Sequence, residues 1–237
     1  MKKLLVLLAL LVYGGFVYPQ DARTFIPPKA LLYMPMLKLE VEMISPNFPL
    51  KAYFPALIEL ESCVGLRNSR CWDPSSQLKT TREEGAGLGQ ITKAYRTDGT
   101  LRFDALTEMK NKHNEYLKDL SWNNVYSRPD LQMRILLLKS SDDYANLRTV
   151  KDPIVRIHFA DAAYNGGLGG VYKERTACGL KSNCNPQLWF GNVEKVCLKS
   201  KVPIYGQRNA CDINRAHVEV IFTSRIWKYK KYFPDAI

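Results

Sequence analysis

The sequence predicts a mainly α domain with a small β-hairpin region, held by disulfides. Three observations carry this expectation. Apolar residues recur at helical spacing in several long stretches, no train of alternating strands separates them, and an even set of six cysteines follows an export-type N-terminus. Hydrophobic residues make up 46% and charged residues 24% of the 237, without repeats or low-complexity runs, so the chain can bury a core. That length suits one core-bearing domain with an appendage.

Residues 1–19 place Lys2 and Lys3 ahead of an apolar run at 4–18 that Gly14 and Gly15 interrupt, the layout of a secretory signal. The run is shorter than the roughly 20 residues a bilayer span prefers, and no small-x-small cleavage site is evident. It is read as a signal peptide or, if uncleaved, a signal anchor tethering the protein to the inner membrane. Residues 20–49, rich in proline and methionine with a helical stretch at 37–44, form an arm packing on the main domain, 50–237. There, Leu50, Tyr53, Phe54, Leu57, Ile58 and Leu60 mark a buried helix that ends beside Glu61 and Cys63. Turn-rich residues 64–92 predict a structured loop, the place for the hairpin. Further helices are expected at 103–117, 130–147, 153–164 and 214–232, with Pro129 and Pro153 at two of the starts.

Export favours disulfides over free thiols. Six cysteines allow fifteen pairings. The short loops between Cys63 and Cys71 and between Cys178 and Cys184 favour neighbour pairing, which leaves Cys197 with Cys211. Zinc is disfavoured: no pair has C-x2-C spacing, and His113, His158 and His217 are scattered, each expected to be structural or solvent-facing. No metal or cofactor is expected. The net charge is +11, and loss of Lys2 and Lys3 with the signal leaves +9. A basic exported surface suits an anionic polymer such as cell wall, whereas export argues against nucleic acid; "KYKKYF" is expected on a solvated helix face.

Two stretches hold the candidate chemistry. "TREEGAGLGQITKAY" carries Gly85, Gly87 and Gly89, but a charged segment precedes them and no lysine follows, so a phosphate loop is disfavoured. "FADAAYNGGLGG" ends a helix on Tyr164 and Asn165 at a loop mouth. With Glu61 and Gln90 this makes one carboxyl, two amides and an aromatic ring. Amides match sugar hydroxyl and acetamido groups, and an aromatic face covers a pyranose. Glu59 is expected at the surface.

"ALIELES", "GAGLGQIT" and "AYNGG", in that order, resemble the motif set of the soluble lytic transglycosylase and goose-type lysozyme superfamily: a Glu-Ser pair ending a helix, a "GLMQ" turn and an "AYNAG" segment. The match runs from about residue 56 to 170, and "INRAHVEVIFTSRIWKY" is weakly similar to the family's closing helix. Gly89 stands for the usual methionine, Gly166 for alanine and His217 for a common tyrosine; the two glycines are expected to widen the groove slightly. The resemblance implies a lysozyme-like α+β fold, peptidoglycan glycan strands as partner, and Glu61 as catalytic acid. A carboxyl against Leu57 and Leu60 would favour its neutral form and donate near neutral pH. It further implies that Gly87, Leu88 and Gln90 approach and hydrogen-bond the glycan, that Tyr164 and Asn165 line the opposite wall, and that Ser62 orients the Glu61 region.

Goose-type lysozymes have aspartates flanking the glycine turn, where this chain has Thr81 and Thr92, neither of which can act as a base. A lytic transglycosylase needs one glutamate, acid then base, closing a 1,6-anhydro ring on the muramic acid. Glu61 acting alone fits that, while Glu83 or Glu84 would serve a lysozyme-type hydrolase. The other readings are a thiol hydrolase built on Cys63 and a non-catalytic glycan-binding protein. The expected setting is a periplasmic or secreted monomer, in phage lysis or in opening the wall for a secretion or conjugation machine.

Overall fold

The computed structural model describes residues 21–205 and 207–233, so the expected signal segment lies outside the described residues. The chain opens with α1 (Asp21–Thr24) and α2 (Pro28–Ile44). Proline occupies the first turn of α2, where its missing N–H costs nothing. This helix is more than twice the stretch expected at 37–44, and Ala30, Met34, Leu37 and Val41 enter the main core. The buried helix expected before Cys63 is α3 (Tyr53–Ser62), in which only Leu60 and Glu61 escape full burial.

In place of a small hairpin within 64–92, a four-stranded antiparallel meander runs on to residue 104: β1 (Gln77–Lys79), β2 (Glu83–Ala86), β3 (Ile91–Tyr95) and β4 (Leu101–Asp104). The helix expected at 103–117 therefore starts late. Phe103 pairs with Ala94 and Asp104 with Lys93, and the Asp104 carboxylate then accepts from the Thr107 N–H at 3.1 Å to cap α4 (Ala105–Lys112), followed by α5 (Asn114–Leu117). α6 (Pro129–Asn146) and α7 (Pro153–Gly166) begin at the prolines, and Asp152 caps α7 by accepting from the N–H groups of Ile154 and Val155. α8 (Leu168–Gly179) follows, then a two-stranded ribbon of β5 (Pro203–Tyr205) and β6 (Arg208–Asn209). Neither was expected.

The C-terminal helix starts four residues ahead of the expected position. Asn209 and Asp212 form a capping box for α9 (Ala210–Val220), a π-helical turn (Ile221–Arg225) interrupts it, and α10 (Ile226–Tyr229) ends it. The fold is thus mostly helical, with a small antiparallel sheet.

Two central helices share their faces between clusters. α6 sends Met133, Leu136 and Leu137 to the core with α2 and α3, and Leu131, Ile135 and Leu138 to the cluster beneath the sheet. α7 gives Ile157 to the first core, and Phe159, Ala160, Ala162 and Ala163 to a cluster with α8 and Trp189. All three disulfides are the neighbour pairs: Cys63–Cys71, Cys178–Cys184 and Cys197–Cys211. With Cys63 bonded and no cysteine free, a Cys63 thiol nucleophile is ruled out. Among the described residues no helix is long and apolar enough to cross a membrane.

Glu59 is fully buried, contrary to the surface position expected for it. Its carboxylate lies 2.8 Å from Lys228 Nζ and 3.4 Å from Arg225 Nη1, and accepts from the Tyr229 hydroxyl at 2.6 Å, so the C-terminal helix supplies the charge that burial demands. Lys228 therefore leaves the solvated face expected for "KYKKYF" and donates also to the Phe25 carbonyl. Glu59→Gln keeps the volume but strands a buried Lys228 charge. Urea unfolding should show a loss of about 3–5 kcal/mol; a loss below about 1 kcal/mol, the range of exposed pairs, would contradict the assignment.

Candidate active site

Glu61 stands at the last turn of α3, its side chain 15% exposed. Glu59 faces α10 from the same helix, whereas Glu61 faces α9. Glu61 Oε1 accepts from His217 Nε2 at 2.8 Å, and His217 Nδ1 donates to Asp161 Oδ2 at 2.9 Å. Asp161 Oδ1 accepts from the Tyr53 hydroxyl at 3.0 Å. Tyr53 and Glu61 lie at opposite ends of α3, so the chain of hydrogen bonds leaves that helix, passes through α7 and α9, and returns to it.

His217, expected to be structural or solvent-facing, is not solvent-facing: it is buried between two carboxylates. Nor does the Glu61 carboxyl rest only against Leu57 and Leu60, because one oxygen is engaged by the imidazole. Burial alone would push the His217 pKa down. The charge and hydrogen bond of Asp161, and then those of Glu61, outweigh it and raise the value to about 10. At neutral pH His217 is therefore an imidazolium donating from both nitrogens. His158, one turn from Asp161, behaves oppositely: burial between Phe190 and Phe222 lowers it to about 4.

The glycine turn after β2 forms one side of the site. Gly87 has φ +71° and Gln90 φ +44°, both left-handed, and the Gln90 N–H closes the turn on the Gly87 carbonyl. Gln132 holds the turn from α6: its Oε1 accepts from the Leu88 N–H at 2.8 Å, and its Nε2 donates to the Pro74 and Val125 carbonyls. A Cβ at Gly87 would run into the Gln132 amide. Across the site, the Tyr164 hydroxyl donates to the Gly89 carbonyl at 2.7 Å. The Tyr164 phenol is raised well above its usual range, by burial first and then by the charges of Glu61, Asp143 and Asp161. Lys139 Nζ lies 5.1 Å from the centre of its ring.

The expected site residues divide accordingly. Tyr164 bonds the glycine turn and lies within electrostatic reach of Glu61. Leu88 is fully buried, so its side chain packs in the core. Ser62 is buried as well; its hydroxyl donates to the Ile58 carbonyl and accepts from the Trp72 N–H, bracing the helix end. The Gln90 side chain lies back along its own turn, with Nε2 donating to the Gly87 carbonyl and Oε1 over Gly85. Asn165 is exposed beyond Tyr164. The glycines do not widen a groove: the space of a Cβ at Gly89 is taken by the Tyr164 hydroxyl and Leu136, and that at Gly166 by Lys199 and the Asn214 amide.

His217 and Tyr53 were given no part in the site by the sequence, and Asp161 was not singled out. The available signal was Asp161, a charged residue on the apolar side of "HFADAAY", which demands a buried partner. Among the described residues no group of three or more His, Cys, Asp or Glu side chains could hold a metal ion. Compared with known protein families and curated proteins, the chain matches no family model and no curated sequence.

Because the folded state raises His217 above its ordinary 6.5, its contribution to stability is complete below pH 6.5 and is lost as pH climbs through about 10. Urea midpoints for the wild type and His217→Gln should therefore lie furthest apart near pH 6 and converge towards pH 10. A gap that stays constant over that range would show that the imidazole is not the charged partner.

Proposed function

We propose that this protein is a peptidoglycan lytic transglycosylase with a lysozyme-like α+β fold, in which Glu61 is the single acid and base. The observation that carries the reading is the placement of Glu61. Its carboxyl is partly exposed at the end of a largely buried helix, within electrostatic reach of Tyr164, whose hydroxyl bonds the glycine turn. These are the three motifs whose order in the chain resembles that superfamily.

A glycosidic oxygen leaves poorly unless protonated, and Glu61 is the acid positioned to protonate it. A retaining hydrolase would need a second carboxylate about 5 Å away across the sugar, and an inverting one a base further off. The carboxylate nearest along the hydrogen-bond chain, Asp161, is wholly buried behind His217 and has no access to a sugar or a water on it. Glu84 accepts from Gln77 Nε2 within the sheet. This favours intramolecular attack by the 6-hydroxyl of N-acetylmuramic acid, with Glu61 taking the hydroxyl proton and a 1,6-anhydro ring as product. The basic chain and its three disulfides suit an exported enzyme acting on an anionic wall polymer, in the periplasm or outside the cell.

Mass spectrometry of the products released from purified peptidoglycan tests the reading. Wild-type protein should release muropeptides ending in 1,6-anhydro-N-acetylmuramic acid, and Glu61→Gln should lower the rate by at least about 10²-fold, the scale of a lost acid–base group. Reducing-end products would instead indicate a lysozyme-type hydrolase and direct attention to Glu83 and Glu84. Binding to glycan strands without cleavage, unchanged by Glu61→Gln, would indicate a non-catalytic binding protein.

A further inference from the structure

Glu61 has two carboxyl oxygens, and among the described residues a hydrogen-bond partner is found for one of them, Oε1. Oε1 is held by His217 Nε2 at 2.8 Å. His217 is held in turn: its side chain is 7% exposed, its Nδ1 is bound to Asp161, and Asp161 is fixed by the Tyr53 hydroxyl. The titratable groups around this chain are Glu61 and Tyr53 from α3, Asp161, His158 and Tyr164 from α7, and, beyond Tyr164, Asp143 and Lys139 from α6. Of these, Asp161 and Glu61 contact the imidazole directly, and both are acidic.

We propose that His217 and Asp161 are positioning residues for Glu61: the imidazole occupies Oε1 throughout the reaction and leaves Oε2 as the one oxygen that exchanges protons with the glycan. The inference rests on the reading of Glu61 as acid and base, and it states how one carboxyl performs both roles. The cycle is entered by the protonated form of Glu61, with its proton on Oε2. It passes to the glycosidic oxygen as the C1–O bond breaks and the bonding pair goes to the leaving sugar, so Glu61 becomes a carboxylate. The charge that develops faces an N–H already aimed at Oε1, and a donor fixed beforehand does not have to reorganise as the charge forms. The 6-hydroxyl then attacks C1, and its proton returns to Oε2. The glycosidic bond is exchanged for the anhydro bond, Glu61 is restored and no water is consumed. His217 keeps both ring protons and touches no reacting atom; Asp161 balances its charge.

Histidine suits position 217 better than a tyrosine would. A neutral phenol donates one hydrogen bond. An imidazolium donates two in opposite directions, and so can join the buried Asp161 to Glu61.

The test uses the full chain acting on solubilised glycan strands, with kcat and KM measured separately for the wild type, His217→Gln, His217→Arg and Asp161→Asn. His217→Gln should lose about 10²-fold in kcat, the scale of a removed preorganised donor, with KM changed by less than about threefold, because the lost interaction acts in the transition state. His217→Arg, which retains a charged donor, should recover about tenfold of that loss. Nitrogen-15 NMR provides a readout independent of turnover, and its wild-type arm needs no variant to fold. In the wild type both ring N–H groups of His217 should persist at pH 8, and Asp161→Asn should move the titration of the ring downwards. Wild-type release of anhydro products together with unchanged kcat in His217→Gln and Asp161→Asn would overturn the proposal, as would a wild-type His217 titrating like a free imidazole near 6.5. A wild-type protein that cleaves no glycan would overturn the Glu61 reading first, and this inference with it.

Discussion

The hydrogen-bonded chain from Tyr53 through Asp161 and His217 to Glu61 is the constraint on which the site depends. Asp161 is wholly buried, and a buried carboxylate without a partner costs several kcal/mol. His217 meets that cost, but a charge placed between two acids also restricts where the acids stand. α3, α7 and α9 are held in one register, because displacement of any of them leaves a buried charge without its partner. Glu61 is the most exposed of the four side chains.

Two carboxylates on one short helix show how position separates structural from chemical roles. Glu59 and Glu61 are two residues apart, which on an α-helix turns their side chains to different faces. Glu59 points at α10 and is consumed by Lys228, Arg225 and Tyr229. Glu61 points at α9 and keeps contact with solvent. The π-helical turn lies between α9, which carries His217, and α10, which carries Lys228 and Tyr229, so the one C-terminal segment serves both acids.

The glycines follow a similar logic. A loop with Gly85, Gly87 and Gly89 invites the view that backbone is being exposed to a ligand. Here the vacated space is occupied from within: the Gln90 side chain lies over Gly85, the Gln132 amide against Gly87 and the Tyr164 hydroxyl at Gly89. The turn is thereby held from two sides, its Leu88 amide by Gln132 of α6 and its Gly89 carbonyl by Tyr164 of α7.

Local features were legible in the sequence because their causes are local. Pro129 and Pro153 mark helix starts through φ restriction, short loops bring neighbouring cysteines within bonding distance, and the apolar spacing before Cys63 foretells α3 with Glu61 at its end. The sheet was only partly legible: β1 and β4 are mostly exposed and lack the alternation of a half-buried strand, so their pairing, not their pattern, makes them strands. Tertiary structure alone decided the partners of the acids. His217 lies 156 residues from Glu61 and 56 from Asp161, and no periodicity within one helix records which side chain of another it will meet. A helical pattern determines which face is buried; the charge that a buried face must neutralise is supplied by whichever element packs there.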